Sequence, residues 1–308
     1  MSRYQYIRKC YKLISDIFKS EGKANKAAAV ASNTTTSALK NSLHEIQTEL
    51  LRSQIGSKWS VIDAIYATRA AQILPRQCPL CAHNAPDQFF PKMQSYCIFG
   101  GGDLLRHLCP KCNLVFGPDK MFDLTSLGLA EEYTWHYKAY REGDSTESEI
   151  RTFHKLEPSK NGTYLNYGAG NWSNTMQILR SQGWNVYAYE PHDSASFCDK
   201  YDWVIDTKQR LSEISFDGIF SNNVLEHLRN PVQELHHMST LLNKNGTMAH
   251  ATPCYEYLYE YTRFHLFFFA GKSKDLLLEK AGLQLVDELI DGSYHCRVAK
   301  PFCYGTGV

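Results

Sequence analysis

The amino-acid sequence predicts an α/β protein whose parallel sheet occupies the C-terminal half of the chain. Short β-like runs alternate with helical patterns from Thr163 onward, which is typical of βαβ units. Two CxxC cysteine pairs precede this part, and a segment poor in glycine and proline comes before them. These observations divide the chain into a helical segment over 1–75, a metal-binding domain over 76–120, a helical linker or lid over 121–160, and a sheet domain over 161–308.

The composition is that of an ordinary globular protein with nearly balanced charge. The 308 residues include 33 basic and 32 acidic side chains, so no overall field favours binding to nucleic acid. The chain has no apolar run long enough for a transmembrane segment, and its N-terminus lacks an apolar signal core. Four cysteines form the two pairs and the others are scattered, which suits a reducing compartment. We therefore expect a cytoplasmic protein without a nucleic-acid partner.

The predicted N-terminal helical segment carries a short apolar stripe. Leu39, Leu43, Ile46 and Leu50 are spaced as on one face of a helix. This face either packs on the protein's own domain or contacts a second copy or a pathway enzyme. Residues 3–23 form a basic amphipathic pattern, for which contact with an anionic membrane surface is an alternative.

The two cysteine pairs predict a metal site. Cys78-Pro-Leu-Cys81 and Cys109-Pro-Lys-Cys112 are similar turns separated by 27 residues, which leaves room for a small β-ribbon. Each turn directs two thiolates to one ion, and two turns complete a closed tetrahedral site, so we predict structural rather than catalytic zinc. The alternative is a set of redox-active or free cysteines. Two histidines lie close enough in sequence to replace a ligand: His83 and His107.

A second motif combines a strand, a glycine turn and a helix. A β-like run leads into Gly168-Ala-Gly170, where the lack of side chains lets the backbone approach a ligand. The next predicted strand ends in Glu190, 22 residues after Gly168. An acid at this place can accept hydrogen bonds from ribose hydroxyls. Dinucleotide-dependent dehydrogenases share this pattern, but their fingerprint needs a third glycine where this chain has Ser173.

The segments after Glu190 narrow the class of protein to which this motif can belong. A fourth strand over 216–223 runs into a Leu-Glu-His sequence, a helix begins after the N-cap Asn230, and a fifth strand covers 247–253. This order resembles the class I S-adenosylmethionine-dependent methyltransferases, particularly the branch that acts on small molecules and sugars. The residues that carry the resemblance, over about half of the chain, are YLNYGAG, YAYEP, FDGIFSNNVLEHLRNPVQEL, LLNKNG, ATP and RFHLFFFAGKSKDLLLEKAGL.

The resemblance implies a Rossmann-like seven-stranded methyltransferase domain that binds S-adenosylmethionine. Gly168 and Gly170 would face the methionine part of this cofactor, and Glu190 would hold the ribose. Asp206, or Asp202 as the alternative, would lie near the adenine amino group. The cysteine pairs ahead of a Tyr-rich helix are similar to sugar and surface-polysaccharide methyltransferases with an N-terminal zinc domain.

The remaining cofactor positions include one departure from the family. Asn222 and Asn223 would close the fourth strand beside the sulfonium. Asn166 stands where the family usually has an acid. An amide offers no charge to the cofactor ammonium, so either the affinity is lower or another residue supplies the partner.

The acceptor side has three predicted catalytic residues. His227 is the candidate base, because an unperturbed imidazole titrates near pH ~6.5; the alternative is that it caps or packs the next helix. Glu226 would orient His227, contact the substrate or play a structural part. His265, with Arg263, would line the acceptor pocket. Three tyrosines form either a lid over the cleft or part of the core: Tyr133, Tyr137 and Tyr140.

The predicted function is methyl transfer to a sugar or glycan acceptor in surface-polysaccharide or related biosynthesis. This acceptor class follows from the resemblance alone. A small-molecule O- or N-methyltransferase of another pathway is the first alternative. The others are an RNA methyltransferase, which the near-zero charge disfavours, and a non-catalytic scaffold that retains the fold.

Overall fold

The computed structural model of the protein describes residues 40–68, 75–141, 143–170, 173–191 and 201–302. The predicted basic helix over 3–23 lies outside these residues. By its internal contacts the chain divides into a unit over 1–54 and a unit over 55–308. None of the helices within the described ranges is both long and apolar enough to cross a membrane.

A helix, α1, occupies residues 40–68 and confirms the helical prediction over this range. In the first unit, three residues of the apolar stripe are exposed, with 56%, 65% and 59% of the surface of Leu43, Ile46 and Leu50 accessible, and Leu39 lies outside the described residues. In the second unit, Ile55 and Trp59 on the same helix are completely buried. The two parts of α1 therefore have different environments.

The second unit alternates strands and helices. Its further helices are α2 Asp119–Phe122, α3 Ser126–Ala139, α4 Thr146–His154, α5 Thr175–Ser181, α6 Lys208–Leu211, α7 Pro231–Thr240 and α8 Ser273–Lys280. Its strands are β1 Pro75–Gln77, β2 Asn84–Pro86, β3 Lys92–Cys97, β4 Gly102–Leu108, β5 Leu114–Phe116, β6 Thr163–Tyr167, β7 Asn185–Tyr189, β8 Val204–Ile205, β9 Phe216–Asn222, β10 Leu242–Ala251, β11 Phe267–Phe269, β12 Leu283–Asp291 and β13 Tyr294–Pro301.

A mixed seven-stranded sheet forms the centre of this unit, in the order β12-β13-β10-β9-β6-β7-β8. The strands from β6 to β10 run parallel, whereas β13 is antiparallel to both of its neighbours. The chain proceeds outward from β6 to β8 and then returns to the other side of β6. Ligands of open α/β sheets bind at this reversal, beyond the carboxyl ends of the strands. The arrangement confirms the predicted Rossmann-like α/β fold of methyltransferases.

Helix α4 packs against the sheet and contributes to its hydrophobic core. This helix belongs to the segment predicted as a linker or lid. Phe153 on α4 is completely buried. Its ring lies 5.3 Å from the Tyr164 ring, 5.2 Å from the Trp184 ring and 5.4 Å from the Phe220 ring, each close to edge-on. Because edge-to-face aromatic packing is favourable at these separations, these contacts hold α4 against the sheet.

The cysteine-rich region forms a smaller sheet with the order β11-β5-β4-β3. The hairpin of β3 and β4 is the β-ribbon expected between the cysteine pairs. Strand β11 comes from the later part of the chain and pairs with β5 through Phe267–Phe269. The buried guanidinium of Arg106 reinforces this contact, because it donates to the backbone oxygens of Thr262 and His265 at 2.8 and 3.2 Å.

Candidate active site and metal centre

The glycine turn after β6 has the backbone that a ligand-binding turn requires. Gly168 and Gly170 have φ values of +74° and +57°, in the left-handed region that favours glycine. The Gly168 amide donates to the backbone oxygen of Tyr189 at 2.8 Å, which ties the turn to the end of β7. A Cβ atom on Gly168 would lie 2.7 Å from Cγ2 of Val224. The turn therefore lies directly against the segment that follows β9.

Two predicted acids lie at the same edge of the sheet. Glu190 follows β7, and its carboxylate accepts a hydrogen bond from the Gly170 amide at 3.0 Å. Asp206 follows β8 and pairs with Arg210 at 3.2 Å. The structure thus brings Glu190 to the glycine turn, as a ribose-binding acid requires, while Asp206 already has a cationic partner one helical turn away.

A buried carboxylate stands behind Asn166. Glu149 on α4 is almost inaccessible, and one of its oxygens accepts from Asn166 Nδ2 at 3.0 Å and from Ser173 Oγ at 3.0 Å. Ser145 Oγ donates to the other oxygen at 2.5 Å. Burial raises the pKa of Glu149, although these hydrogen bonds act in the opposite direction. The chain therefore has an acid at this edge after all, supplied by α4 instead of β6.

The end of β9 turns sharply into the predicted catalytic segment. Asn222 is the last residue of β9, and Asn223 adopts a left-handed conformation with φ of +55°. The Asn223 amide donates to the backbone oxygen of Ala251 at 2.8 Å, so the ends of β9 and β10 stay together. A 3₁₀ turn over Leu225–His227 follows immediately.

Two residues of this turn, Glu226 and His227, have partners on different elements of the structure. The Glu226 carboxylate is fully buried and accepts from Thr252 Oγ1 at 2.6 Å. Desolvation raises the pKa of Glu226 to about 7. The Nδ1 atom of His227 lies 3.2 Å from the hydroxyl of Tyr133 on α3. Desolvation lowers the pKa of His227 to about 4, so its ring is neutral at physiological pH and can accept the Tyr133 proton in a hydrogen bond.

His265 lies close to Glu226 and His227, and next to His265 lies a cysteine that the sequence does not indicate. The rings of His227 and His265 lie 4.9 Å apart. Cys254, which follows β10, has its Sγ 3.4 Å from Nδ1 of His265. The structure therefore brings the three predicted catalytic residues together. Cys254 carries no recognisable motif, and only its place just beyond a strand at the carboxyl edge could have indicated it.

The tyrosines of α3 belong to an aromatic cluster. The Tyr133 ring stacks on Phe264 at 4.3 Å and lies 5.9 Å from the Tyr137 ring. The Tyr140 ring packs edge-on against Phe99 at 5.1 Å. Stacking of this kind holds α3 against the segment before β11. Tyr133 also reaches a predicted catalytic residue, His227.

The prediction that Arg263 lines the acceptor pocket is wrong. Its side chain is completely buried, and its guanidinium pairs with Glu132 on α3 at 3.2 Å. Trp59 on α1 donates to the same Glu132 carboxylate at 3.0 Å. A buried charge needs such a partner, so Arg263 holds α1, α3 and the segment before β11 together.

The four paired cysteines come together. Sγ of Cys78 lies 3.7 Å from Sγ of Cys112, and Sγ of Cys81 lies 3.5 Å from Sγ of Cys109. All four sulfur atoms lie within 4.8 Å of one another. Zn–S bonds of about 2.3 Å at tetrahedral angles separate sulfur atoms by about 3.8 Å, so the cluster fits a single metal ion.

The two cysteine turns have the same backbone geometry. In each, the first cysteine accepts from the amide four residues later at 3.0 Å and donates to the carbonyl five residues later at 2.8 Å. The residue after each pair is left-handed, with φ of +59° at Ala82 and +67° at Asn113. Neither nearby histidine is needed as a ligand. His107 instead directs Nε2 to Asp87 at 3.3 Å, and His83 packs on Phe90 with ring centroids 5.5 Å apart.

Comparisons with known proteins agree with this fold. Residues 137–288 match a family described as a methyltransferase domain. This match covers just under half of the chain and most of the seven-stranded sheet. No curated protein matches the sequence.

Several solved methyltransferase structures are similar to the chain. The CcbJ methyltransferase from Streptomyces caelestis is 14% identical, over 54% of this chain and 94% of that one, with a TM-score of 0.41. The glycopeptide N-methyltransferase MtfA is 12% identical, over 52% and 91%, with a TM-score of 0.42. An S-adenosylmethionine-dependent methyltransferase from Clostridium acetobutylicum is 11% identical, over 56% and 97%, with a TM-score of 0.39. Residues 137–288 are therefore similar to a methyltransferase domain, and the seven-stranded sheet has the strand order that the sequence resemblance implies.

Proposed function

We propose that the protein transfers a methyl group from S-adenosylmethionine to a hydroxyl of a sugar or glycan acceptor. The observation that carries this proposal is the contact between the glycine turn and the catalytic segment. A Cβ atom on Gly168 would collide with Val224, and three residues after Val224 the His227 ring lies within hydrogen-bond distance of the Tyr133 hydroxyl. The glycine turn and the acceptor-side residues are therefore neighbours at one edge of the sheet.

The cofactor part rests on Glu190 and on the conformation of the glycine turn. A carboxylate that already accepts from the Gly170 amide lies where ribose hydroxyls would replace or add to that bond. Asn166 would lie behind the methionine part, with Glu149 as its buried negative partner. Asn222 and Asn223 stay our prediction for the sulfonium side, and Asp206 for the adenine side.

The acceptor part rests on Tyr133, His227 and the aromatic cluster around them. Methyl transfer from a sulfonium mainly requires that the nucleophile and the methyl group are held in line. A hydroxyl acceptor must also lose a proton. We place Tyr133 between acceptor and His227, because its hydroxyl already reaches Nδ1 of that imidazole. The near-zero net charge supports an uncharged or small acceptor over RNA.

A further part of the proposal concerns a metal ion bound by the four paired cysteines. We propose that they bind structural zinc, because their sulfur spacing fits one tetrahedral ion and no position is left for water. The ion would keep β5 in place, and through it β11 and the segment that carries His265.

The first test is calorimetry of the zinc-loaded protein with S-adenosylmethionine and S-adenosylhomocysteine. We expect micromolar-range binding that Glu190→Ala weakens at least about tenfold, since a hydrogen bond to a charged group contributes about 1.5–3 kcal/mol. Glu279→Ala, an exposed acid on α8, is the matched control and should bind like the wild type. Absence of binding to either ligand would contradict the proposal and favour the scaffold alternative.

The acceptor is then tested by following S-adenosylhomocysteine release with three groups of compounds. Nucleotide sugars and glycans form the first group, phenols the second and amines the third. Turnover confined to the first group is the expected result. Turnover with phenols or amines alone would instead establish the small-molecule O- or N-methyltransferase alternative.

A further inference from the structure

A second group of metal-binding side chains lies outside the four-cysteine site. Glu226 follows β9, Cys254 follows β10 and His265 precedes β11. A carboxylate oxygen, the thiol sulfur and a ring nitrogen of these residues all lie within 4.8 Å of one another. We propose that these three residues bind a zinc ion that holds an oxygen of the methyl acceptor.

One of the two oxygens of the Glu226 carboxylate lacks a hydrogen-bond partner within the described ranges. Its Oε1 accepts from Thr252, whereas Oε2 is buried and has no hydrogen-bond partner among the residues that the structure describes. An unsatisfied oxygen of a buried carboxylate is costly, because it has lost water without gaining a donor. A cation in the group would satisfy this oxygen.

The spacing of the sulfur and nitrogen ligands fits zinc. Bonds of about 2.3 Å to sulfur and 2.0–2.1 Å to nitrogen, at a tetrahedral angle, separate the two ligand atoms by about 3.5 Å. Sγ of Cys254 and Nδ1 of His265 are 3.4 Å apart. Metal binding would replace two existing contacts, those of His265 Nδ1 with the Tyr259 carbonyl at 3.0 Å and of Cys254 Sγ with the Leu258 carbonyl at 3.7 Å.

The charge and the kind of ligand also favour zinc. A carboxylate and a thiolate together match the charge of a divalent ion. Mixed oxygen, sulfur and nitrogen ligands suit zinc better than magnesium or calcium. Three protein ligands leave a fourth position open, which is the pattern of catalytic zinc sites.

The function of this ion rests on the proposed methyl transfer. His265 lies beside His227, whose ring is 4.9 Å away, so the open position belongs to the acceptor side of the site. An acceptor hydroxyl bound there would be more acidic, because the ion stabilises the oxygen once it loses its proton. Its proton would leave toward Tyr133 and His227, and the freed oxygen would then attack the methyl group.

The test is the metal content of the full-length protein after loading with zinc and removal of unbound ions. We expect the wild type to hold a second equivalent beyond that of the four cysteines. Glu226→Gln and Cys254→Ser should each lose one equivalent, and Cys112→Ser should lose the other. Cys296→Ser is the matched control, because this buried cysteine belongs to neither group and should keep both equivalents.

Cobalt loading gives a second measurement that does not depend on activity. Cysteine-bound cobalt(II) absorbs through sulfur-to-metal charge transfer, and Cys254→Ser should remove part of this absorption while the four-cysteine part remains. A single equivalent in the wild type, lost only in Cys112→Ser, would overturn the proposal. Binding of S-adenosylmethionine is measured on the same samples, so the loss of this zinc and the failure of the proposed methyl transfer remain distinguishable.

Discussion

The two ligand groups of this protein, the four-cysteine cluster and the carboxyl-edge site, are built in opposite ways. The cluster uses two similar turns, each with both of its ligands within four residues of chain. The carboxyl-edge site draws Gly168, Glu149, His227 and Tyr133 from separate elements of the second unit. A short-range pattern thus accounts for the first group, whereas the second exists only after the sheet has formed.

This difference predicts how each region responds to substitution. A ligand lost from the cysteine cluster removes a local turn together with the strands that it holds. A partner lost from the carboxyl-edge site leaves the backbone in place and changes binding or turnover.

Cys112→Ser should cause the largest loss of stability. Structural zinc contributes on the order of 10 kcal/mol of binding free energy in small zinc domains. Strand β5 begins two residues later and pairs with β11, so we expect the damage to reach the segment that carries His265. Circular dichroism should show a strongly lowered Tm together with loss of zinc. Cys296→Ser should lower Tm far less, and equal effects of the two variants would refute a metal-dependent role.

The pair of Glu149 and Asn166 should show coupled effects of a few kcal/mol. Glu149→Gln places an amide against an amide, and Asn166→Asp places two carboxylates together, so each costs about 1–3 kcal/mol. The double variant restores one acid and one amide with the direction of the hydrogen bond reversed. Denaturant unfolding and the Kd for S-adenosylmethionine should both recover in the double variant. Additive losses would show that the contact between the two side chains is unimportant.

Substitution of the two glycines separates backbone strain from a side-chain clash. An alanine in the left-handed region costs about 1–2 kcal/mol at either position. Gly168→Ala also places its Cβ against Val224, while none of the described residues lies within 4 Å of a Cβ at Gly170. We therefore expect the larger loss of stability and cofactor affinity in Gly168→Ala, with partial recovery when Val224→Ala is added. Equal losses at both glycines would contradict the contact between the turn and the catalytic segment.

Tyr133→Phe should have the smallest effect on stability but a clear effect on turnover. The substitution removes the hydroxyl that reaches His227 and keeps the ring that stacks on Phe264. We expect kcat to fall by about 10²-fold, within the range for a positioned acid or base, while Tm and the Kd for S-adenosylmethionine stay unchanged. Tyr187→Phe on β7 is the control. An unchanged kcat would remove Tyr133 from the proposed proton path.

Several features could not be predicted because their partners are distant in sequence. The sequence alone indicates a missing charge at Asn166, but Glu149 lies 17 residues earlier and reaches it only when α4 packs on the sheet. The sequence predicts Arg263 at the acceptor, yet its guanidinium is buried and pairs with Glu132, which also accepts a hydrogen bond from Trp59. The Phe267–Phe269 segment, which is part of a run that carries the family resemblance, forms a strand of the cysteine-rich sheet. In each case a long-range contact decided the outcome.

Local sequence is enough to indicate the order of the strands along the chain, the glycine turn, the cap of α7 and the two cysteine turns. The Asn230 side chain accepts from the Gln233 amide at 3.2 Å, as its spacing predicted. These features depend on neighbours within a few residues, so local propensity and spacing suffice to indicate them. Long-range packing brings Glu149 to Asn166, Tyr133 to His227, and Cys254 to Glu226 and His265. Such groups meet because the parallel strands end at one edge and α3 and α4 pack beside it, and no local pattern encodes that packing.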